Sequence, residues 1–216
     1  MTQSGDRAKR AFDVVVGGAV LVLSLPIQAA VAVAIRRSMG TPVLFRQPRP
    51  GKDGVVFELV KFRTMRHPDA RHVTDAERLT RLGRFLRSTS LDELPTLWNV
   101  VKGDMGLVGP RPLLVEYLPL YTVEQARGHE VRPGVTGLAQ VSGRNSLSWK
   151  MEFAKDLEYV DTRSLRLDFD VLLRTVAKVV RREGISQYGA ATAERFAGNP
   201  ADAARTTGPA AKGTAT

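Results

Sequence analysis

Val14 to Ile35 is a run of 22 residues in which Ser24 and Gln28 are the polar side chains. As a straight helix it would measure roughly 33 Å, enough for the apolar core of a bilayer. Pro26 stands near its centre, where it removes an amide donor and its ring clashes with the preceding turn. The carbonyl near Val22 then needs another partner, and the Ser24 hydroxyl is at hand. Ser24 and Pro26 therefore mark a break. Both flanks are basic: Arg7, Lys9 and Arg10 precede the run, and Arg36, Arg37, Arg46 and Arg49 follow it. The positive-inside rule wants one basic flank, on the cytoplasmic side. Two are best satisfied if both ends stay cytoplasmic, so the segment reads as a broken helix that dips into one leaflet and returns. Two other readings stay open. One is a signal peptide cleaved near Ala30-Val31-Ala32, although the run exceeds the roughly 7–15 residues of a signal core. The other is a single spanning anchor with a proline kink.

The formal net charge of +10 implies an anionic partner: nucleic acid, an anionic membrane or a phosphorylated substrate. The chain has no cysteine, which excludes disulfides and thiolate metal sites.

Downstream, Val43 to Gln47 and Val55 to Phe62 predict a β-hairpin around the turn-rich stretch Pro48 to Gly54. Ala76 to Leu86 predicts one helix. A second begins near Asp92, with either Ser90 in a capping box with Glu93 or Asp92 as the N-cap, and ends near Gly103. Arg132 to Asn145 is glycine-rich and predicts loop. Asp170 to Arg182 is amphipathic, with a stripe of Val171, Leu172, Val176, Val179 and Val180. Such a helix either lies on a membrane surface or packs on the core. After Tyr188 the composition predicts a disordered tail. The fold class is therefore α+β and mostly helical: an N-terminal re-entrant membrane helix, a small β-hairpin and amphipathic interfacial helices. Residues 1–40 form the membrane part, 41–189 the catalytic domain and 190–216 the tail.

The adjacent acids Asp92 and Glu93 are the candidate chemistry. Helix capping alone would account for them, at roughly 0.3–1 kcal/mol. Their company argues for more. Arg87 lies five residues earlier, Arg111 sits between two prolines, and Lys61 and Arg63 end the second strand. Any one of these is ordinarily a solvated charge. Several on stiff elements around two acids suit a phosphate cradle. A carboxylate at a helix N-terminus is expected to stay ionised, as a nucleophile or metal ligand.

The chain resembles the bacterial sugar transferases, the minimal monotopic form of the polyprenyl-phosphate phosphoglycosyl transferases. The resemblance rests on Lys9-Arg10-Ala11-Phe12-Asp13, Lys61-Phe62-Arg63-Thr64-Met65 and Thr89 to Val100. It continues through Gly103-Asp104-Met105, Val108 to Pro112 and Pro133 to Gly137. It implies transfer of a sugar 1-phosphate from a UDP-sugar to undecaprenyl phosphate, with release of UMP, at the cytoplasmic face of the bacterial inner membrane. It implies Asp92 as the nucleophile, Glu93 as its Mg²⁺-associated partner, and Asp92 beside the metal. Lys61, Arg63, Arg87, Arg111, Arg144 and Asp168 are the implied substrate-binding set. The implied partners are UDP-sugar, undecaprenyl phosphate and the lipid bilayer, with no nucleic acid; a homodimer is left open. Leu138, Ser142 and Gly106 depart from the residues relatives often carry, which leaves the sugar undetermined. Two alternatives remain: direct one-step transfer on the same fold, and a non-catalytic basic membrane- or nucleic-acid-binding protein. The scarcity of aromatics, at 6%, speaks against the nucleic-acid form.

Overall fold

Pro26 divides the apolar run into two helices in the computed structural model, which describes residues 3–69, 72–143, 147–181 and 195–198. Helix α1 spans Gln3–Leu23 and α2 spans Leu25–Met39, bent by 57°. Pro26 lies in the first turn of α2, where its missing amide breaks no intrahelical bond. The Ser24 hydroxyl donates to the Leu21 carbonyl at 3.0 Å and accepts from Gln28 Nε2 at 2.9 Å. It serves Leu21 rather than Val22 because a helical hydroxyl reaches carbonyls three or four residues back. Val22, Leu23, Leu25 and Ile27, at the bend, are all more than half exposed. Among the described residues no single helix is long and apolar enough to cross a membrane; the bent pair together has the length and composition.

The predicted hairpin forms, with longer strands. β1, Leu44–Pro50, pairs antiparallel with β2, Val56–Phe62, from Leu44 opposite Phe62 to Pro50 opposite Val56. Pro48 and Pro50, expected in the turn, are instead strand residues on the edge strand. The predicted helix at Ala76 to Leu86 is two: α3, Asp75–Arg78, and α4, Arg81–Ser88. A second cap causes the break. The Thr80 side chain accepts from the Gly83 amide, and Leu79 bridges to Met65 in extended conformation.

Ser90 then takes left-handed backbone (φ 55°) and makes no side-chain cap. A 3₁₀ segment runs Leu91–Thr96, followed by α5, Leu97–Lys102, closed by Gly103. Neither expected cap is formed: Asp92 and Glu93 lie inside the 3₁₀ turn, one turn ahead of α5. β3, Gly106–Val108, leads into Gly109-Pro110-Arg111-Pro112. After α6, Val123–Ala126, the expected loop from Arg132 contains β4, Gly134–Thr136, parallel to β3, and α7, Leu138–Ser142. Tertiary pairing overrides glycine here. A Cβ on Gly134 would lie 2.1 Å from the Gly109 amide, so this approach admits no side chain. α8, Trp149–Thr162, had no clear signal in the sequence. α9, Leu165–Arg181, splits the expected stripe. Val171 is buried and Leu172 packs on the core, while Phe169, Leu173, Val176 and Val180 form an exposed apolar face.

The main core joins α1, β2, α5, β3, β4, α7, α8 and α9 through residues such as Val100, Val108, Tyr159 and Val171. A smaller one packs Val31 and Ile35 of α2 against Phe62 and Leu86. The expected tail, 190–216, falls almost wholly outside the described residues. Arg195–Gly198 are described, and there Phe196 is buried against Tyr117 and Phe153. One aromatic can bury even within a polar, small-residue stretch.

Asn99 ties α5 to β2. Its Oδ1 accepts from the Val60 amide at 3.1 Å, and its Nδ2 donates to the Glu58 carbonyl at 2.8 Å. Replacing Asn99 by Ala leaves two backbone groups unpaired in a site that is 1% exposed. We expect Asn99→Ala to lower the unfolding free energy by about 2–4 kcal/mol, read by denaturant titration in detergent. A loss well under 1 kcal/mol would count against this tie.

Candidate active site

The site is assembled around the Leu91–Thr96 turn. Thr96 Oγ1 donates to the Val60 carbonyl at 2.9 Å, fixing the turn against β2. Lys61, next on that strand, meets Glu93 with Nζ 2.5 Å from Oε1. Arg87 arrives from the last turn of α4, where its Nε donates to Thr64 Oγ1 at 3.1 Å. Gly83 allows this docking: a Cβ there would sit 1.9 Å from the Thr64 carbonyl oxygen. Asp92 is coupled electrostatically to Glu93, Lys61 and Arg87.

Burial, and then the neighbouring Glu93 charge, push the Asp92 carboxyl up to about 6, against the opposing pull of Lys61 and Arg87. This corrects the expectation of a carboxylate held ionised by a helix N-terminus. Asp92 does not cap α5, and its burial dominates. Burial also lowers Arg87, while Asp92 acts to raise it.

Arg111 and Pro112 line two clefts. The first is shared with Arg49, Lys61, Glu93, Thr96 and Gln140, and is predominantly cationic. The second, about 410 Å³ including open solvent, is shared with Tyr121, Gln125, His129, Phe153 and Asp156. Arg49 was expected on the basic flank of the membrane segment. It instead lies inside the domain, with Nη1 donating to the Pro112 carbonyl at 3.2 Å and Nη2 to Gln47 Oε1 at 2.7 Å. Burial, then the Arg111 charge, lower it to about 10. Asp156 on α8 is raised well above the ordinary carboxyl range by burial and then by Glu152, with Arg111 opposing.

Lys61, Arg87, Asp92 and Glu93 thus converge, with Arg111 bordering the same cleft as Lys61 and Glu93. Two expected residues do not join them. Arg63 points back to α2, with Nη2 donating to the Met39 and Gly40 carbonyls, both at 2.7 Å, because the exposed carbonyls of a helix end attract a cation. Asp168 is fully buried in a separate network. Its Oδ2 accepts from Lys9 Nζ at 2.7 Å, and its Oδ1 lies 2.8 Å from the Tyr159 hydroxyl. Asp13 of α1 joins Lys9 at 3.5 Å and accepts from the Leu107 amide at 3.1 Å. This network latches α1 to β3, α8 and α9. Arg144 lies outside the described residues. Arg49, Gln140 and Asp156 were missed: a lone charged or amide residue carries no local signal of the cavity it will line.

Among the described residues no three His, Asp or Glu side chains gather to hold a metal. Asp92 and Glu93 are two adjacent carboxylates in the Leu91–Thr96 turn. That set suits Mg²⁺, which commonly takes one or two carboxylates and completes its shell with substrate phosphates and water.

The model of the bacterial sugar transferase family matches residues 4–182. The chain is 50% identical over 194 residues to the uncharacterized sugar transferase EpsL of Bacillus subtilis, covering 88% of this chain and 96% of that protein. It is 40% identical over 188 residues to the UDP-glucose:undecaprenyl-phosphate glucose-1-phosphate transferase of Caulobacter vibrioides, covering 81% of this chain and 70% of that protein. It is 36% identical over 196 residues to the undecaprenyl-phosphate galactose phosphotransferase of Salmonella typhimurium, covering 82% of this chain and 41% of that longer protein. A helical domain with a bent apolar helix pair, matched over most of its length by these relatives, is thus a sugar-phosphate transferase. The chain belongs to the bacterial sugar transferase family. The reading as a non-catalytic basic protein falls with that.

Asp92 gives a pH-dependent stability. Its pKa rises from 3.8 to about 6 on folding, so the unfolded carboxyl ionises first. Stability therefore falls as pH rises from about 4 through 6 and stays lower above it. Asp92→Asn removes that cost. We expect it to be more stable than wild type at pH 7.5 by on the order of 1–3 kcal/mol, with the difference vanishing near pH 4. Thermal unfolding at several pH values reads this; an equal gap at every pH would refute the buried-charge argument.

Proposed function

We propose that this protein transfers a sugar 1-phosphate from a UDP-sugar to undecaprenyl phosphate, releasing UMP, as a first membrane step of glycan synthesis. The observation that carries the reading is the Asp92–Glu93 turn facing Lys61, Arg87 and the Arg111 cleft. The relatives' names supply the reaction class.

In this reading the ionised Asp92 carboxylate attacks the phosphorus that bears the sugar. A P–O bond to the aspartate forms, and the bond to the UMP oxygen breaks. An oxygen of undecaprenyl phosphate then attacks the same phosphorus and restores the carboxylate. Lys61 holds Glu93 in place, Arg87 neutralises charge beside Asp92, and Arg111 meets the diphosphate. Mg²⁺ bound by Glu93 and Asp92 would supply charge neutralisation to the diphosphate.

The bent helix pair with its exposed apolar tip supports a re-entrant membrane hairpin, with the catalytic domain on the cytoplasmic face. The exposed apolar face of α9 suits an interfacial position.

Purified protein with undecaprenyl phosphate, Mg²⁺ and a panel of UDP-sugars is expected to release UMP from at least one. A chelator should stop it. Asp92→Asn should lose at least about 10³-fold in turnover while staying folded. A phosphosugar adduct should be found on Asp92 by mass spectrometry when the acceptor is omitted. Near-normal turnover by Asp92→Asn would sink the nucleophile assignment and favour one-step transfer.

Cysteines placed singly at Ser4 and Ser38 should both resist an impermeant thiol reagent in intact cells. Labelling of one alone would show a crossing instead of a hairpin.

A further inference from the structure

Among the described residues, four buried side-chain polar atoms have no hydrogen-bond partner: Arg49 Nε, Arg63 Nε, Gln140 Oε1 and Asp156 Oδ1. Arg63 serves the end of α2. The other three belong to residues lining the two clefts that meet at Arg111. An unpaired buried polar atom costs free energy and calls for a partner that a ligand can supply.

The clefts differ in chemistry. The one beside Glu93 carries Arg49, Lys61 and Arg111, and suits phosphates. The other carries the buried Asp156 besides Arg111, with Tyr121, His129 and Phe153 as walls. Tyr121 meets Phe153 edge-on at 5.6 Å and lies 5.4 Å from the His129 ring. Burial keeps the His129 pKa below its usual value, which disfavours a charged ring. A buried carboxyl held well above its ordinary range offers no charge to a phosphate. It suits a neutral group that offers N–H or O–H donors and a flat face.

Order along the site decides which group that is. Electrostatic coupling runs Arg87–Asp92–Glu93–Lys61 on one side. Beyond Arg111 it runs to Asp156 and Glu152. In phosphoryl transfer the nucleophile and the leaving oxygen lie roughly in line across phosphorus. An attack from Asp92 therefore drives the leaving nucleotide away from it, and Arg111, which borders both clefts, is the cation they share. The sugar, on an equatorial oxygen, departs sideways.

Resting on the activity proposed above, we infer that the Asp156 cleft is the nucleoside subsite. Its Oδ1 bonds the base or ribose of the leaving UMP, and its aromatic wall takes the base face.

The test uses the whole protein in detergent and needs no turnover. Asp156→Ala, which removes the acceptor, is expected to bind UMP about tenfold more weakly, by calorimetry, and to bind inorganic pyrophosphate within about twofold of wild type. Unchanged UMP affinity overturns the inference, as does an equal loss for both ligands. Loss for a hexose 1-phosphate with UMP unchanged would place the sugar there and overturn it too. Should Asp156→Ala fail to fold, wild-type protein photolysed with 4-thio-UMP keeps the question open to decision. Crosslinks at Tyr121, His129 or Phe153 support the subsite. Crosslinks confined to Lys61 or 134–140 refute it. A protein that crosslinks here yet releases no UMP from any UDP-sugar loses the activity but keeps the nucleotide cleft. One that turns over and crosslinks elsewhere loses this inference alone.

Discussion

The amide of Asn99 is the contact on which the site depends. A two-stranded hairpin offers a row of unpaired backbone groups along its free edge, and β2 spends part of that row on a side chain. Val60 and Glu58 bond to Asn99, and Val60 also receives the Thr96 hydroxyl. The Asn99 carbonyl in turn accepts from the Gly103, Asp104 and Met105 amides. One residue thus sets the 3₁₀ turn, α5 and the start of β3 against a single strand. Because Lys61 is on that strand and Glu93 is in that turn, their ion pair is fixed by backbone hydrogen bonds on both sides.

Charge is distributed by task. Lys9, Asp13, Asp168 and Tyr159 hold α1 to the domain, and Arg10 donates to the Val100 and Val101 carbonyls at the end of α5. Arg63 does the same for the end of α2. These groups fix the bent helix pair to the catalytic domain from two directions. Lys61 and Arg87 act on Asp92, and Arg49, Lys61 and Arg111 line the cleft beside Glu93. The cost of burying Asp92 beside Glu93 is offset in part by Lys61 and Arg87, and a raised carboxyl is one ready to lose its proton near neutral pH.

Several features were legible from residues alone. Pro26 in an apolar run breaks a helix wherever it sits, because the missing amide is local. The hairpin followed from two short strand-like runs around a turn-rich stretch, and the end of α5 from Gly103. The Asp92–Glu93 pair and Arg87 were legible as a cluster because they lie close in the chain. Other elements were misread where long-range pairing outweighed composition. Gly134 to Thr136 is a strand because Gly109 needs a neighbour without a side chain. The helix at Ala76 to Leu86 is cut because Thr80 caps a new one.

The sequence by itself determined the family, the reaction class, the broken apolar segment and the paired acids, since each is written in contiguous residues whose chemistry acts over a few positions. Only the tertiary structure decided which charges serve the site and which serve the scaffold. Arg63 and Asp168 look like Arg87 and Glu93 in one dimension, but packing turns the first two toward helix ends and a buried latch. Arg49, Gln140 and Asp156 reach the two clefts at Arg111 from β1, α7 and α8 because hydrophobic burial brings distant segments to one loop. That convergence depends on burial and direction, which neighbours in sequence do not specify.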